Sequence, residues 1–223
     1  MTDAKWEAIT DSGFQFFGEM TGSISHEIKN SMAVINENAG LLQDLLLLSQ
    51  KGTPPDLDRL NRLAEQIIAQ IKRSDTFVKK LNRFSHSVDI PIKSIDLAEI
   101  LNFSLDLSKR IAANRRFTLN LEPPPETIII STHVFYFMNM IWRCLDFIMG
   151  KGASESTLIM KCKKVSTGVE ICFGPLKESD ERFDVDSMPS RTRNLLEMLN
   201  GTIEVNYEQG EMILSLPEKH SNQ

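Results

Sequence analysis

Apolar and small residues recur at Phe17, Ile24, Ile28, Met32, Ile35, Ala39, Leu42 and Leu46 in steps of three, four or seven. That spacing keeps one face of an α-helix against a partner. Asp11 or Ser12 is placed to cap this helix, which the pattern carries to about Gln50. Lys51-Gly52-Thr53-Pro54-Pro55 ends it, with a glycine stop and two prolines that cannot continue a helix. A second helix from about Leu57 to His86 repeats the pattern at Leu60, Ala64, Ile67, Ile71, Ser74, Val78 and Leu81. Two helices alone do not bury this seam together with Phe14, Leu45, Ile68 and Phe77, so the hairpin of residues 1–88 predicts a homodimer closed as a four-helix bundle.

The period then changes. Residues 89–94, with Pro91, read as a linker, and residues 95–223 as a second domain. Short strands are expected at Ile95-Asp96-Leu97, Phe117 to Leu121, Thr127 to Ile130, Thr157 to Val165 and Gly168 to Phe173, with a closing hairpin of Thr202 to Tyr207 and Glu211 to Leu216. Helices are expected over Ala98 to Ala113, from a Ser131 or Thr132 cap to Met149 with Gly150-Lys151-Gly152 as its stop, and over Arg191 to Leu199. Helices mixed with mostly antiparallel strands predict an α/β sandwich, so the chain as a whole is α+β.

Composition narrows the options. The 223 residues are 41% hydrophobic, enough for a globular core, and the formal charge of -5 argues against a generic nucleic-acid binder. Arg115-Arg116 and Lys161 to Lys164 read as solvated strand ends. Cys144, Cys162 and Cys172 lack metal-ligand spacing, as do His86, His133 and His220, so no metal site is expected and the thiols read as reduced and structural. No apolar stretch approaches the roughly 20 residues that span a bilayer, and Met1 to Trp6 has no signal-peptide profile. A cytoplasmic protein without membrane insertion is expected, its input coming from a partner.

The candidate chemistry is His26. Two residues from both Ile24 and Ile28, it is turned about 200° away from the seam. A neutral imidazole there is a competent nucleophile near neutral pH. Glu27 is placed to hold the other ring nitrogen and fix the tautomer, and Asn30, one turn on, to position water or a phosphoryl group.

His26-Glu27-Ile28-Lys29-Asn30, inside the octet from Ser23, resembles the H-box of sensor histidine kinases, His-Glu-(Ile/Leu/Phe)-(Lys/Arg)-(Asn/Thr)-Pro-Leu. Ser31 replaces the proline and Met32 the leucine, which removes a usual source of a helix kink. The order of elements after the hairpin is similar to the family's ATP-binding domain. Asn139 to Asp146 resembles its N-box, and Leu199 to Val205 the segment that leads into its last hairpin.

The departures decide what the resemblance implies. Arg143, or Phe147 with a one-turn shift, stands at the magnesium-binding Asn of the N-box. Cys172 replaces the Asp that accepts from adenine; Gly174 survives and Leu176 replaces the next glycine. Between Gly174 and Arg191 there is no second glycine box and too little chain for the usual ATP lid. The pattern is similar to bacterial histidine phosphotransferases derived from histidine kinases. It implies that His26 exchanges a phosphoryl group with receiver aspartates, that magnesium is supplied by the receiver, and that ATP is not used, with Asn139, Arg143, Cys172 and Gly174 as remnants of a nucleotide site. A divergent ATP-dependent kinase and a non-catalytic adaptor for a receiver or a sister kinase are the alternatives.

Overall fold

The computed structural model describes residues 3–52, 54, 56–151, 156–176 and 187–219. Thr53, Pro55, Gly152, His220 and most of the stretch between Gly174 and Arg191 lie outside the described residues. The elements follow in the order α1 (Asp3–Gln50), α2 (Leu57–Ser85), β1 (Lys93–Asp96), α3 (Leu97–Asn114), β2 (Phe117–Glu122), β3 (Ile129–Thr132), α4 (Val134–Lys151), β4 (Ser156–Val165), β5 (Gly168–Gly174), α5 (Ser190–Met198), β6 (Thr202–Asn206) and β7 (Glu211–Leu216). The architecture is α+β, a long helical hairpin and an α/β sandwich.

Packing divides the chain into two compact units, one of residues 21–86 and the other of residues 1–20 with 87–223. The division therefore falls inside α1, and it groups differently from a hairpin domain of residues 1–88.

In the hairpin unit, Asp56 caps α2 by accepting from the Arg59 amide at 3.0 Å. Among its described large apolar side chains only Ile24, Leu63 and Phe84 are buried, whereas ten between Met32 and Val78 are exposed.

In the α/β unit the sheet order is β2-β4-β5-β7-β6, antiparallel except for β2 with β4. A parallel neighbour cannot be reached by a tight turn, and β3 with α4 supplies the crossover. β1 and β3 form a separate two-stranded sheet. Strand alternation puts Leu158, Met160 and Cys162 of β4 and Met212, Leu214 and Leu216 of β7 on the buried face. Leu101 and Leu105 of α3, Phe137 and Ile141 of α4 and Leu195 of α5 are buried as well. Lys161 and Lys163 are not strand ends; they lie inside β4 on its solvent face, paired with Glu122 at 3.4 Å and Glu170 at 2.8 Å. Arg115 is likewise engaged, with Asp146 at 2.7 Å.

Two turns depend on unusual backbone. α5 ends with Asn200 at φ 53, and the Gly201 amide reaches back to the Leu196 carbonyl at 3.0 Å, a Schellman stop. Gly168 turns β4 into β5, and a Cβ there would meet the Leu216 carbonyl at 2.1 Å, so only glycine fits.

The first helix begins at Asp3, not at Asp11 or Ser12. Ser12, which reads as a cap from sequence, is buried mid-helix beside the buried Gly13. Small residues serve there because α4 passes close by: a Cβ on Gly13 would lie 3.2 Å from the Phe135 ring.

Candidate functional site

α1 is helical without interruption through the octet, with Ser31 in place of a proline causing no break. Ser23 and Ile24 are buried, and His26, Lys29 and Asn30 are exposed. The imidazole thus stands on the solvent side of the hairpin unit, as the spacing predicts. Glu27 is half-buried, and its carboxylate accepts from Arg73 of α2 at 2.9 Å. Arg73 also lies over the Phe77 ring, 5.6 Å from its centroid, with Lys80 at 5.9 Å. Arg73 is the residue that sequence reasoning missed. It is 46 positions from Glu27, and only the register of the hairpin brings the two together.

The remnant residues lie in the other unit. Asn139 is wholly buried on α4, and its amide nitrogen donates to the Ser12 hydroxyl at 3.2 Å. Arg143, one turn on and also buried, donates to the Ser12 carbonyl at 3.1 Å. Burial pushes the Arg143 guanidinium down from its usual pKa; Glu19 opposes this shift and Arg191 adds to it. Phe147, a further turn along, is half-buried. Cys172 is buried on β5, opposite Ile213 of β7, and burial raises its thiol pKa. Gly174 ends β5 close to Glu211 and Gly210. The Leu176 amide is held by the Gly210 carbonyl at 2.6 Å. Among the described residues no group of His, Cys, Asp and Glu forms a metal cluster, and no helix is long and apolar enough to cross a membrane.

No family model and no curated protein matches the chain. Among solved structures, the chain is similar to the histidine kinase AdeS of Acinetobacter baumannii, at 11% identity and a TM-score of 0.48 over 81% of this chain and 95% of that one. It is similar to a bacterial phosphotransferase at 13% identity and a TM-score of 0.43, over 89% of this chain and 93% of that one. The ATP-binding domain of PrrB from Mycobacterium tuberculosis is matched at 16% identity and a TM-score of 0.45, over 58% of this chain and 98% of that domain.

Proposed function

We infer that the hairpin carries a phosphoryl group on His26, taken from the phospho-aspartate of a receiver domain and passed to the aspartate of another. The observation that carries this reading is an exposed imidazole inside His26-Glu27-Ile28-Lys29-Asn30, on an unbroken helix whose neighbouring carboxylate is fixed from the second helix. One imidazole nitrogen attacks phosphorus in line, the N–P bond forms and the acyl-phosphate O–P bond breaks. The aspartate leaves as a carboxylate, and the proton on the other nitrogen passes to Glu27 or solvent. Phosphoryl transfer asks mainly for positioning and charge neutralisation, and the receiver's own magnesium supplies the latter. Arg73 fixes Glu27 beside the histidine, Lys29 offsets charge and Asn30 orients water when the phosphoryl group is hydrolysed.

The exposed apolar side chains of the hairpin, among them Met32, Leu46, Ile68, Ile71 and Val78, form the surface on which a second copy closes a four-helix bundle. No ATP step is assigned. Asn139 is wholly buried with its amide nitrogen on Ser12, Arg143 is a cation where magnesium needs an oxygen ligand, and Cys172 is a buried thiol where adenine needs an acceptor. These residues do not fit a magnesium nucleotide.

The test is to incubate wild-type and His26→Ala protein with receiver domains charged on aspartate from labelled acetyl phosphate. Acid-labile, base-stable label on wild type alone is expected. Absence of transfer from several receivers would sink the proposal, and labelling by γ-labelled Mg·ATP would replace it with a kinase.

A further inference from the structure

Residues 3–20 of α1 belong to the α/β unit, and their contacts there follow one helical stripe. Ile9, Ser12, Gly13, Phe16 and Met20 are buried, at spacings of three and four. α4 and α5 hold this stripe from two sides. From α4, Asn139 and Arg143 both address Ser12, one at its hydroxyl and one at its carbonyl, and the Trp142 indole donates to Glu19 at 2.5 Å. From α5, Arg191 donates to Gln15 at 2.7 Å and Glu197 accepts from Lys5 at 2.8 Å. The Phe16 and Phe135 rings pack at 5.5 Å, and Gly13 allows the close approach beside them.

The polar part of this seat is selective for a helix. A helical carbonyl keeps a second lone pair after its intrahelical bond, and the Arg143 guanidinium takes the one at Ser12. A mid-helix serine is a weak helix former that an apolar seam does not need, and its hydroxyl answers the buried Asn139 amide. These two α4 positions are the ones that a nucleotide site of the resembled family would use, and here both are turned to protein.

We propose that the face of the α/β unit formed by α4 and α5 is a receptor for a helix, that its ligand is the chain's own segment 3–20, and that the seated segment closes this face to a nucleotide. The unit thereby clamps the upstream part of the same helix that carries His26. This holds whatever chemistry His26 performs.

The test uses the full chain in a Trp6→Phe background, which leaves Trp142 as the single tryptophan of the two in the sequence. Gly13→Leu drives a side chain into the Phe135 ring, and Ile9→Asp places a charge in the buried stripe. Each is expected to shift Trp142 emission to longer wavelength and to speed amide exchange over residues 8–20 by about tenfold or more, because a helix segment stripped of tertiary support frays. Protection of β4 and β5 is expected to persist. Mg·ATP is expected to leave the emission of the unsubstituted segment unchanged. Unaltered emission and exchange in both variants would overturn the proposal. So would saturable quenching of Trp142 by Mg·ATP without the substitutions, or loss of β4 and β5 protection in both variants, which would make the segment inseparable core rather than a seated ligand.

Discussion

Arg143→Met is expected to stabilise the α/β unit, although it deletes a hydrogen bond. Arg143 is 5% exposed, and the bond to the Ser12 carbonyl is one of few compensations for burying its charge. Its Nε has no hydrogen-bond partner. The nearest charges partly cancel, Glu19 and Asp146 favouring the cation and Arg191 opposing it. Losing a hydrogen bond from a charged donor costs about 1.5–3 kcal/mol. Against it stands the desolvation of an incompletely paired cation, several kcal/mol even after relaxation, and methionine refills most of the volume with apolar contact. The second effect is the larger, and the net gain is about 1–2 kcal/mol. Urea unfolding followed by Trp142 emission in the Trp6→Phe background reports the unit in which the substitution lies. With a urea slope of about 2 kcal/mol per molar, the midpoint is expected to rise by about 0.5–1 M at unchanged slope. A fall in the midpoint of that size would refute the reasoning and make the guanidinium a net anchor.

Arg73→Ala is expected to cost under about 1 kcal/mol in thermal unfolding, since the Arg73 side chain is 56% exposed, yet to slow phosphoryl transfer from a charged receiver about tenfold or more, with Arg73→Lys partly restoring the rate. Equal rates in all three proteins would remove Arg73 from the site. Ser31→Ala is expected to raise hairpin stability by about 1 kcal/mol, because the buried Ser31 hydroxyl has no hydrogen-bond partner; a lower melting temperature would contradict this. Burial raises the Cys162 thiol from 9.0 to about 11, and raises Cys144 and Cys172 as well. Between those two values the unfolded chain binds fewer protons at Cys162 than the folded one, so stability present below pH 9.0 is lost at about 1.4 kcal/mol per pH unit for that thiol. Cys162→Ala is expected to flatten that decline in denaturant titrations, and an unchanged slope would reject the assignment.

The alternation of β4 and β7 was legible because it encodes burial within a few residues, whereas β5 is buried at nearly every position and, of the hairpin stripes, only Ile24 and Ser74 are buried. His26 was legible for the same reason, since its side of the helix follows from Ile24 and Ile28 alone. Arg73 was not, because an ion pair across a hairpin depends on which turn of one helix faces which turn of the other, and the loop between them sets that offset.

Ser12 misled for a more general reason. An aspartate or serine near a chain start signals a helix cap when backbone propensity alone is weighed. Propensity yields to packing where another helix comes close, and here a ring at 3.2 Å from the missing Cβ and two α4 side chains on Ser12 are what the small residues accommodate. The same exchange explains Asn139 and Arg143. Read along α4 they resemble two positions of a nucleotide site at i and i+4; read across the fold they are two grips on one turn of a neighbouring helix. A buried amide needs a partner of matching chemistry, and a helix that presents a hydroxyl and a spare carbonyl lone pair supplies one bond to each residue, while Asn139 Oδ1 and Arg143 Nε stay buried without a partner.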